Sequence, residues 1–233
     1  MKYKNIIEGR FIERPNRFVA IVQINGIVEK VHVKNTGRCK ELLIEGAKVY
    51  LEDFYGRMGT RKMRYSLIGV DKGQIKVNMD SQAPNKMVEE ALEDGRICLP
   101  EMGKLTVIKR EKTYGDSRFD FYLEDDKGCK AFLEVKGVTL EKNRVAMFPD
   151  APTERGVKHV KGLMRAVYEG YKGYVVLVIQ MKGISHFTPN YETHKAFGEV
   201  LKEASDKGVF VLAFDSKIGD DFAEIDSQIQ IKY

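Results

Sequence analysis

The sequence predicts an α/β protein of two domains (α+β), in which a small barrel of strands precedes a domain of alternating helices and strands. Short strand-like segments follow one another through the first 80 residues, with turn signals between them. Helical and strand-like patterns then alternate over the rest of the chain. The polar stretch "DSQAPNK" separates the two regions, so we predict one domain at 1–80 and a second at 81–233.

The first domain is predicted to be a five-stranded, OB-like barrel. Asn25-Gly26 lies between two apolar segments and is a strong signal for a hairpin turn. Five short strands in so few residues suit a barrel of this type, which commonly binds oligonucleotides across one face. The predicted strands are 17–26, 27–37, 47–54, 61–71 and 74–79.

The second domain is predicted to run helix, three strands, helix, strand, helix, strand. Its first helix has Asn85 as a candidate N-cap and Gly95 as its C-terminal stop. The segment 173–181 is almost wholly apolar, which is typical of a strand covered on both faces. The predicted helices are 85–95, 152–170 and 191–208, and the predicted strands are 104–111, 117–125, 129–136, 173–181 and 209–215.

The composition indicates a globular protein of a reducing compartment. Hydrophobic residues make up 43% and charged residues 31% of the chain, and no apolar run approaches the roughly 20 residues that span a bilayer. The N-terminus has no signal-peptide core. Three cysteines lie far apart without a CxxC pair, which argues against a zinc cluster or a disulfide framework. We therefore expect a cytoplasmic protein with no membrane partner.

Charge is distributed unevenly and points to a polyanionic partner. Residues 1–80 contain 16 basic and 9 acidic residues, a balance of +7, whereas residues 81–233 have a balance of −2. Basic residues interleaved with Tyr55 and Tyr65 suit a surface that binds phosphates and stacks bases, although a solvated strand face is an equally open interpretation. The candidate nucleic-acid-binding residues here are Arg57, Arg61, Lys62 and Arg64.

The chemistry of the second domain is predicted to centre on "AFLEVKGVTL". Side chains alternate along a strand, so Glu134 and Lys136 share one face. Asp120 lies on the preceding strand, and a hairpin through "DDKG" would bring it beside them; Glu90 of the first helix could add a fourth group. Two carboxylates can hold Mg²⁺ or Mn²⁺ while a lysine orients water, as metal-dependent phosphodiester cleavage requires.

The longest motifs resemble those of the sugar fermentation stimulation protein A (SfsA) family. They are "RFVAIV…VHVKNTGRCKELLIEGAKVYL", "PNKMVEEAL", "YGDSRFDFYL" and "AFLEVKGVTL…VAMFPDAPTERGVKHVKGLM". The resemblance implies an N-terminal OB-like domain and a C-terminal domain of the PD-(D/E)XK nuclease fold. It assigns Asp120, Glu134 and Lys136 to that superfamily's motif and Glu90 to its first-helix carboxylate. It also implies DNA binding without clear sequence preference and a regulatory role in sugar (maltose) use, while the sequence itself leaves the choice between DNA and RNA open.

The segment after this motif offers a possible phosphate site. Arg155 and His159 lie four residues apart on a predicted helix, with Lys158 beside them and Thr153 as candidate N-cap. Arg155 and Lys158 are therefore candidate nucleic-acid-binding residues. Alternatively, Asp150 pairs with Arg155 to fix the turn; we interpret His159 as an ordinary polar helix residue.

Two functions remain open from the sequence. The first is a nuclease that depends on Mg²⁺ or Mn²⁺ and whose barrel grips the nucleic acid. The second is a non-catalytic DNA-binding regulatory factor that uses the nuclease domain as a scaffold. Neither a phosphate-binding GxxxxGK[ST] loop nor a GxGxxG motif after a strand is present, which argues against an NTPase or a nicotinamide-dependent enzyme.

Overall fold

A computed structural model describes residues 1–35 and 37–233 of the chain. The first sheet has the strand order β3-β2-β1-β4-β5-β6, and β3 also pairs with β5. This extra pairing closes β1 to β5 into a barrel, with β6 attached as a hairpin, so the predicted OB-like fold is confirmed. The strands are β1 Ile6–Asn16, β2 Val19–Ile24, β3 Ile27–Val33, β4 Lys48–Asp53, β5 Tyr65–Lys72 and β6 Ile75–Asn78.

The first strand of the barrel is absent from the sequence prediction. Of the eleven residues of β1, only Gly9 and Phe11 are buried. The apolar alternation that marks a half-buried strand is therefore almost missing from this segment. The prediction consequently counted the β6 hairpin strand as the fifth barrel strand and omitted β1.

The second domain is built on a six-stranded sheet of order β15-β14-β12-β9-β8-β7. Strands β9, β12 and β14 run parallel, and β7, β8 and β15 are antiparallel to their neighbours. The strands of this sheet are β7 Leu105–Tyr114, β8 Ser117–Asp125, β9 Lys130–Val138, β12 Lys172–Ile179, β14 Val209–Ile218 and β15 Ala223–Gln228. The helices are α1 Ala83–Glu93, α2 Glu154–Tyr168 and α3 Tyr191–Asp206. A small sheet of β10 Leu140–Lys142, β11 Val145–Phe148 and β13 His186–Pro189 was not predicted, and neither was β15.

Both faces of the large sheet are covered, as its apolar central strand requires. Val175 and Leu177 of β12 pack in the core cluster that contains residues of α2 and α3. Val176 and Val178, on the other face, pack with residues of α1. The helices therefore lie on opposite sides of the sheet, with α1 on one side and α2 and α3 on the other. None of the described helices is long and apolar enough to cross a membrane.

A buried polar junction joins the barrel to the large sheet. Gln180, directly after β12, donates from Nε2 to the backbone and side-chain oxygens of Asn78, at 3.0 and 2.9 Å, and to the Asp80 carbonyl at 3.2 Å. The backbone N–H of Asn78 donates in return to the backbone carbonyl of Gln180 at 2.9 Å. Gly137 of β9 packs so closely here that a Cβ atom would lie 2.5 Å from Gln180 Oε1 and 2.8 Å from Pro84 Cγ. The end of β9 is thus fixed against both the junction and α1.

Candidate active site

Asp120 lies where the pairing of β8 and β9 ends. The two strands are in register from Phe121↔Leu133 to Glu124↔Lys130, and the next position would place Asp120 opposite Glu134. There the amide of Val135 donates to Asp120 Oδ2 at 2.8 Å instead of to a neighbouring strand. A backbone donor that lost its partner in the sheet is thus satisfied by a carboxylate, which holds Asp120 next to β9.

Asn85 supports the other oxygen of Asp120. Its Nδ2 donates to Asp120 Oδ1 at 2.8 Å from the first turn of α1. Burial first, and then the nearby Glu134 carboxylate, raise the pKa of Asp120 above its ordinary value. The helix begins earlier than predicted, with Gln82 as its N-cap, so the prediction of Asn85 as N-cap is wrong.

Glu134 is the most enclosed charged group of the site. Only 2% of it is exposed, and its Oε1 lies 2.5 Å from both Lys136 Nζ and His159 Nδ1. Burial acts to raise the pKa of Glu134, but the contacts with His159 and Lys136 outweigh it, and this pKa lies below its ordinary value. Its second oxygen, Oε2, is buried and has no hydrogen-bond partner among the described residues.

His159 and Arg155 form a chain of contacts that leads to Glu134. His159 is 6% exposed, and Arg155 Nε lies 3.4 Å from its Nε2. Because a guanidinium group can only donate, Nε2 accepts this bond, and Nδ1 carries the hydrogen that is donated to Glu134. The interpretation of His159 as an ordinary polar helix residue is therefore wrong. The predicted shared face of the two side chains is present in the structure.

Arg155 is not used to fix the turn. Asp150 instead accepts a hydrogen bond from the Arg38 amide at 3.2 Å. Thr153 caps α2 through the Gly156 amide at 3.1 Å, as predicted. In the part of the chain that the structure describes, Arg155 has no carboxylate partner, so its terminal nitrogen atoms remain available to an anion.

Glu90 is held away from the other acidic groups. Its carboxylate pairs with the N-terminal ammonium of Met1 at 2.6 Å. Glu90 lies five residues after Asn85 on α1, so the two side chains point about 140° apart around the helix, and it is Asn85 that faces Asp120. Within residues 1–35 and 37–233, no group of three or more His, Cys, Asp or Glu side chains is arranged to hold a metal ion. The structure thus brings together Asp120, Glu134 and Lys136, but not Glu90.

Most of the basic residues predicted on the barrel contact its own acidic groups or rings. Arg64 makes a two-pronged bond to Asp53, at 2.7 and 2.6 Å, and Arg57 pairs with Glu52 at 3.5 Å. Arg61 lies over the ring of Phe54 at 3.7 Å. The fourth barrel candidate, Lys62, is exposed. Lys158, the candidate on α2, pairs with Asp116 at 3.2 Å.

Two family models together cover most of the chain. The model described as the SfsA N-terminal OB domain matches residues 12–79, and the one described as the sugar fermentation stimulation protein RE domain matches residues 82–222. The chain belongs to the sugar fermentation stimulation protein family. The resemblance predicted from the sequence is thereby confirmed, as is the nuclease-type fold of the second domain.

Family members with similar sequences span the whole chain. A homolog from Ruminiclostridium cellulolyticum is 52% identical over 232 residues, and the match covers 100% of this chain and 100% of that protein. A homolog from Desulfitobacterium hafniense is 53% identical, with 100% of this chain and 98% of that protein covered. Among solved structures, Pyrococcus furiosus SfsA in complex with Ca²⁺ matches with a TM-score of 0.88 and 29% identity, covering 100% of this chain and 98% of its own.

Proposed function

We propose that this family member binds DNA and holds Mg²⁺ or Mn²⁺ between Asp120 and Glu134 to hydrolyse phosphodiester bonds. The observation that carries the proposal is the buried Oε2 of Glu134, which lacks a partner among the described residues. A buried charged oxygen without a partner is costly, and a bound cation would satisfy it. The Ca²⁺ complex of the Pyrococcus furiosus relative supports a site for a divalent cation in this family.

The residues present fit such a cation. Each carboxylate oxygen can accept more than one bond, so Asp120 keeps lone pairs after its bonds to Asn85 and Val135. Two carboxylates suffice for Mg²⁺, which keeps several water ligands and takes others from the substrate. When bound, the cation would polarise the phosphate and lower the pKa of a coordinated water.

The chain's own side chains then have distinct tasks. Lys136, which contacts Glu134 and keeps 16% of its side chain exposed, would donate to the attacked phosphate or to the incoming water. His159 would be a positioning residue, because its bond to Oε1 holds the Glu134 carboxylate and leaves Oε2 free for a cation. Arg155 would hold a phosphate with its terminal nitrogen atoms near the start of α2.

A second candidate is a DNA-binding regulatory factor that does not cleave. It is favoured by the pairing of Glu90 with the Met1 ammonium, which leaves two carboxylates rather than three. The family description, sugar fermentation stimulation, is also compatible with regulation.

The test measures metal binding, DNA binding and cleavage separately. Titration calorimetry with Mn²⁺ is expected to show binding by the wild type and its loss in Asp120→Asn and Glu134→Gln. Labelled single-stranded DNA, double-stranded DNA and RNA then report binding and cleavage, and Lys136→Ala should still bind DNA but not cleave it. A wild type that binds no Mn²⁺ would contradict the metal site, and DNA binding without cleavage in either metal would favour the regulatory factor.

A further inference from the structure

A basic groove lies on the barrel, apart from the residues that the sequence singled out. Its volume is about 410 Å³, and its lining comprises four cationic side chains and no acidic one. The turn between β1 and β2 contributes one side of the groove, and the segment after β3 contributes the other. The four cations are Arg14, Arg17, Arg38 and Lys40.

The one carboxylate described at the edge of this groove, that of Asp150, accepts from the Arg38 backbone amide and leaves the groove with a net positive charge. Among residues 1–35 and 37–233, none of the four cations forms an ion pair with a carboxylate. A larger cavity of about 690 Å³ between the barrel and the second domain also has several lysines in its lining, but these have acidic partners. The pairs there are Lys72–Glu141, Lys76–Asp220 and Lys182–Asp215. Uncompensated positive charge in a concave surface is what attracts and holds an anion.

Arg14 holds the walls of the groove together, and its guanidinium group is occupied by backbone contacts. Its guanidinium group donates to four backbone carbonyls at 2.7 to 2.9 Å and so ties the β1–β2 turn to the segment after β3. The exposed Arg17, Arg38 and Lys40 are thereby displayed on a fixed backbone. The four acceptors belong to Arg17, Asn35, Gly37 and Arg38.

The groove adjoins the segment that leads into the candidate active site. Gly37 lies so close to Asp150 that a Cβ atom would be 2.5 Å from Asp150 Oδ2, and Ala151 forms part of the groove lining. From Ala151 the chain passes directly into α2, which carries Arg155 in its first turn. A strand bound in the groove would therefore lie alongside the segment that presents Arg155.

An exposed ring next to the groove suits a nucleobase. Phe18 is 49% exposed, and the Arg17 guanidinium lies 5.8 Å from its ring centre. Cations alternating with an exposed aromatic ring are the usual means of binding a nucleic-acid strand without regard to its sequence. We infer that this groove binds the phosphodiester backbone of a nucleic-acid strand, with Phe18 stacking on one base. The inference rests on the proposed nucleic-acid-binding function and specifies where the barrel makes its contacts.

The experiment compares two variants of equal charge. Arg17→Gln, Arg38→Gln and Lys40→Gln are combined in one groove variant. The matched control combines Lys104→Gln, Lys127→Gln and Lys130→Gln, which are exposed around the turn between β8 and β9 and form no ion pair among the described residues. Fluorescence anisotropy of a labelled oligonucleotide is measured across a salt series.

The groove variant is expected to bind on the order of 10- to 100-fold more weakly at physiological salt. Its slope of log affinity against log salt should fall by about 2 to 3, because each lost phosphate contact removes about 0.7 to 0.9. Phe18→Ala should weaken binding by roughly fivefold or more at an almost unchanged slope. The control should keep most of the wild-type affinity and slope.

The outcomes separate this inference from the function on which it rests. If the wild type binds and the groove variant matches it in affinity and slope, the groove assignment is overturned while DNA binding stands. A wild type that binds no nucleic acid overturns both. The groove variant is folded and keeps its metal site if its thermal unfolding and its Mn²⁺ affinity match those of the wild type. If the triple variant is unstable, the single variants Arg17→Gln and Arg38→Gln replace it.

Discussion

Replacing His159 tests how the carboxylate of Glu134 is held. In the structure, Oε1 of Glu134 has two partners, at 2.5 Å each, and His159 supplies one of them. His159→Leu removes that donor from a carboxylate that is 2% exposed. A hydrogen bond to a charged group contributes about 1.5–3 kcal/mol, so we expect the free energy of unfolding of the metal-free protein to fall by about that amount. Loss of a partner that orients a metal ligand typically lowers metal affinity about 10- to 100-fold.

Two conservative replacements distinguish positioning from simple packing. The amide nitrogen of Asn lies near the position of histidine Nδ1, whereas that of Gln lies near Nε2. Because Nδ1 contacts Glu134, His159→Asn should retain most of the Mn²⁺ affinity, and His159→Gln should resemble His159→Leu. Denaturant unfolding in the presence of a chelator gives the stability, and calorimetric titration with Mn²⁺ gives the affinity. Wild-type Mn²⁺ affinity in His159→Leu, or equal losses in the Asn and Leu variants, would refute the positioning role.

Three further perturbations follow from contacts outside the carboxylate pair. Gly137→Ala places a Cβ atom 2.5 Å from Gln180 Oε1. The free energy of unfolding, measured by thermal unfolding, should therefore fall by about 1–3 kcal/mol. Glu141→Gln removes the 2.5 Å ion pair with Lys72, which should cost about 1.5–3 kcal/mol near neutral pH. Burial acts to raise the pKa of Glu141, but the contacts with Lys72 outweigh it, and this pKa lies below its ordinary value. The contribution of the ion pair to stability is therefore complete above pH 4.5 and is lost as the pH falls through the folded-state pKa of Glu141. Glu90→Gln should leave the Mn²⁺ affinity within about twofold of wild type, because Glu90 does not contact the other acidic groups. Loss of a residue that orients a metal ligand would lower the affinity about 10-fold or more.

Each of these predictions can fail in a specific way. An unchanged unfolding temperature for Gly137→Ala would show that the junction has room that the structure does not display. A stability difference between wild type and Glu141→Gln that persists to low pH would contradict the ion pair as its source. A 10-fold loss of Mn²⁺ affinity in Glu90→Gln would restore the sequence-based role of Glu90 as a member of the site.

The alternation of side chains along strands accounts for what could be predicted of the site. Glu134 and Lys136 fall on one face of a short apolar strand, and a polar turn places Asp120 on its antiparallel neighbour. Both facts depend only on local sequence, so they are visible without coordinates. Asn85 and His159 reach the carboxylates from two helices on opposite faces of the sheet, and no local pattern reports such a contact.

Charge patterns were less informative than hydrophobic ones. Arg64 and Arg17 look alike in the sequence, each within a basic strand-rich region. In the fold, Arg64 is bound to Asp53, whereas Arg17 has no acidic partner in the described part of the chain. Whether a cation is neutralised depends on tertiary neighbours, and the sequence alone does not contain them. Strand β1 escaped prediction for a different reason, because only two of its eleven residues are buried and one of those is a glycine.

The junction at Gln180 ties the barrel to the large sheet through buried hydrogen bonds. A hinge there would have to break the hydrogen bonds that Gln180 and Asn78 exchange, in a place that water does not reach. A strand held by the barrel would therefore meet Asp120 and Glu134 at a constant distance along its backbone, whichever part of the strand occupied the groove.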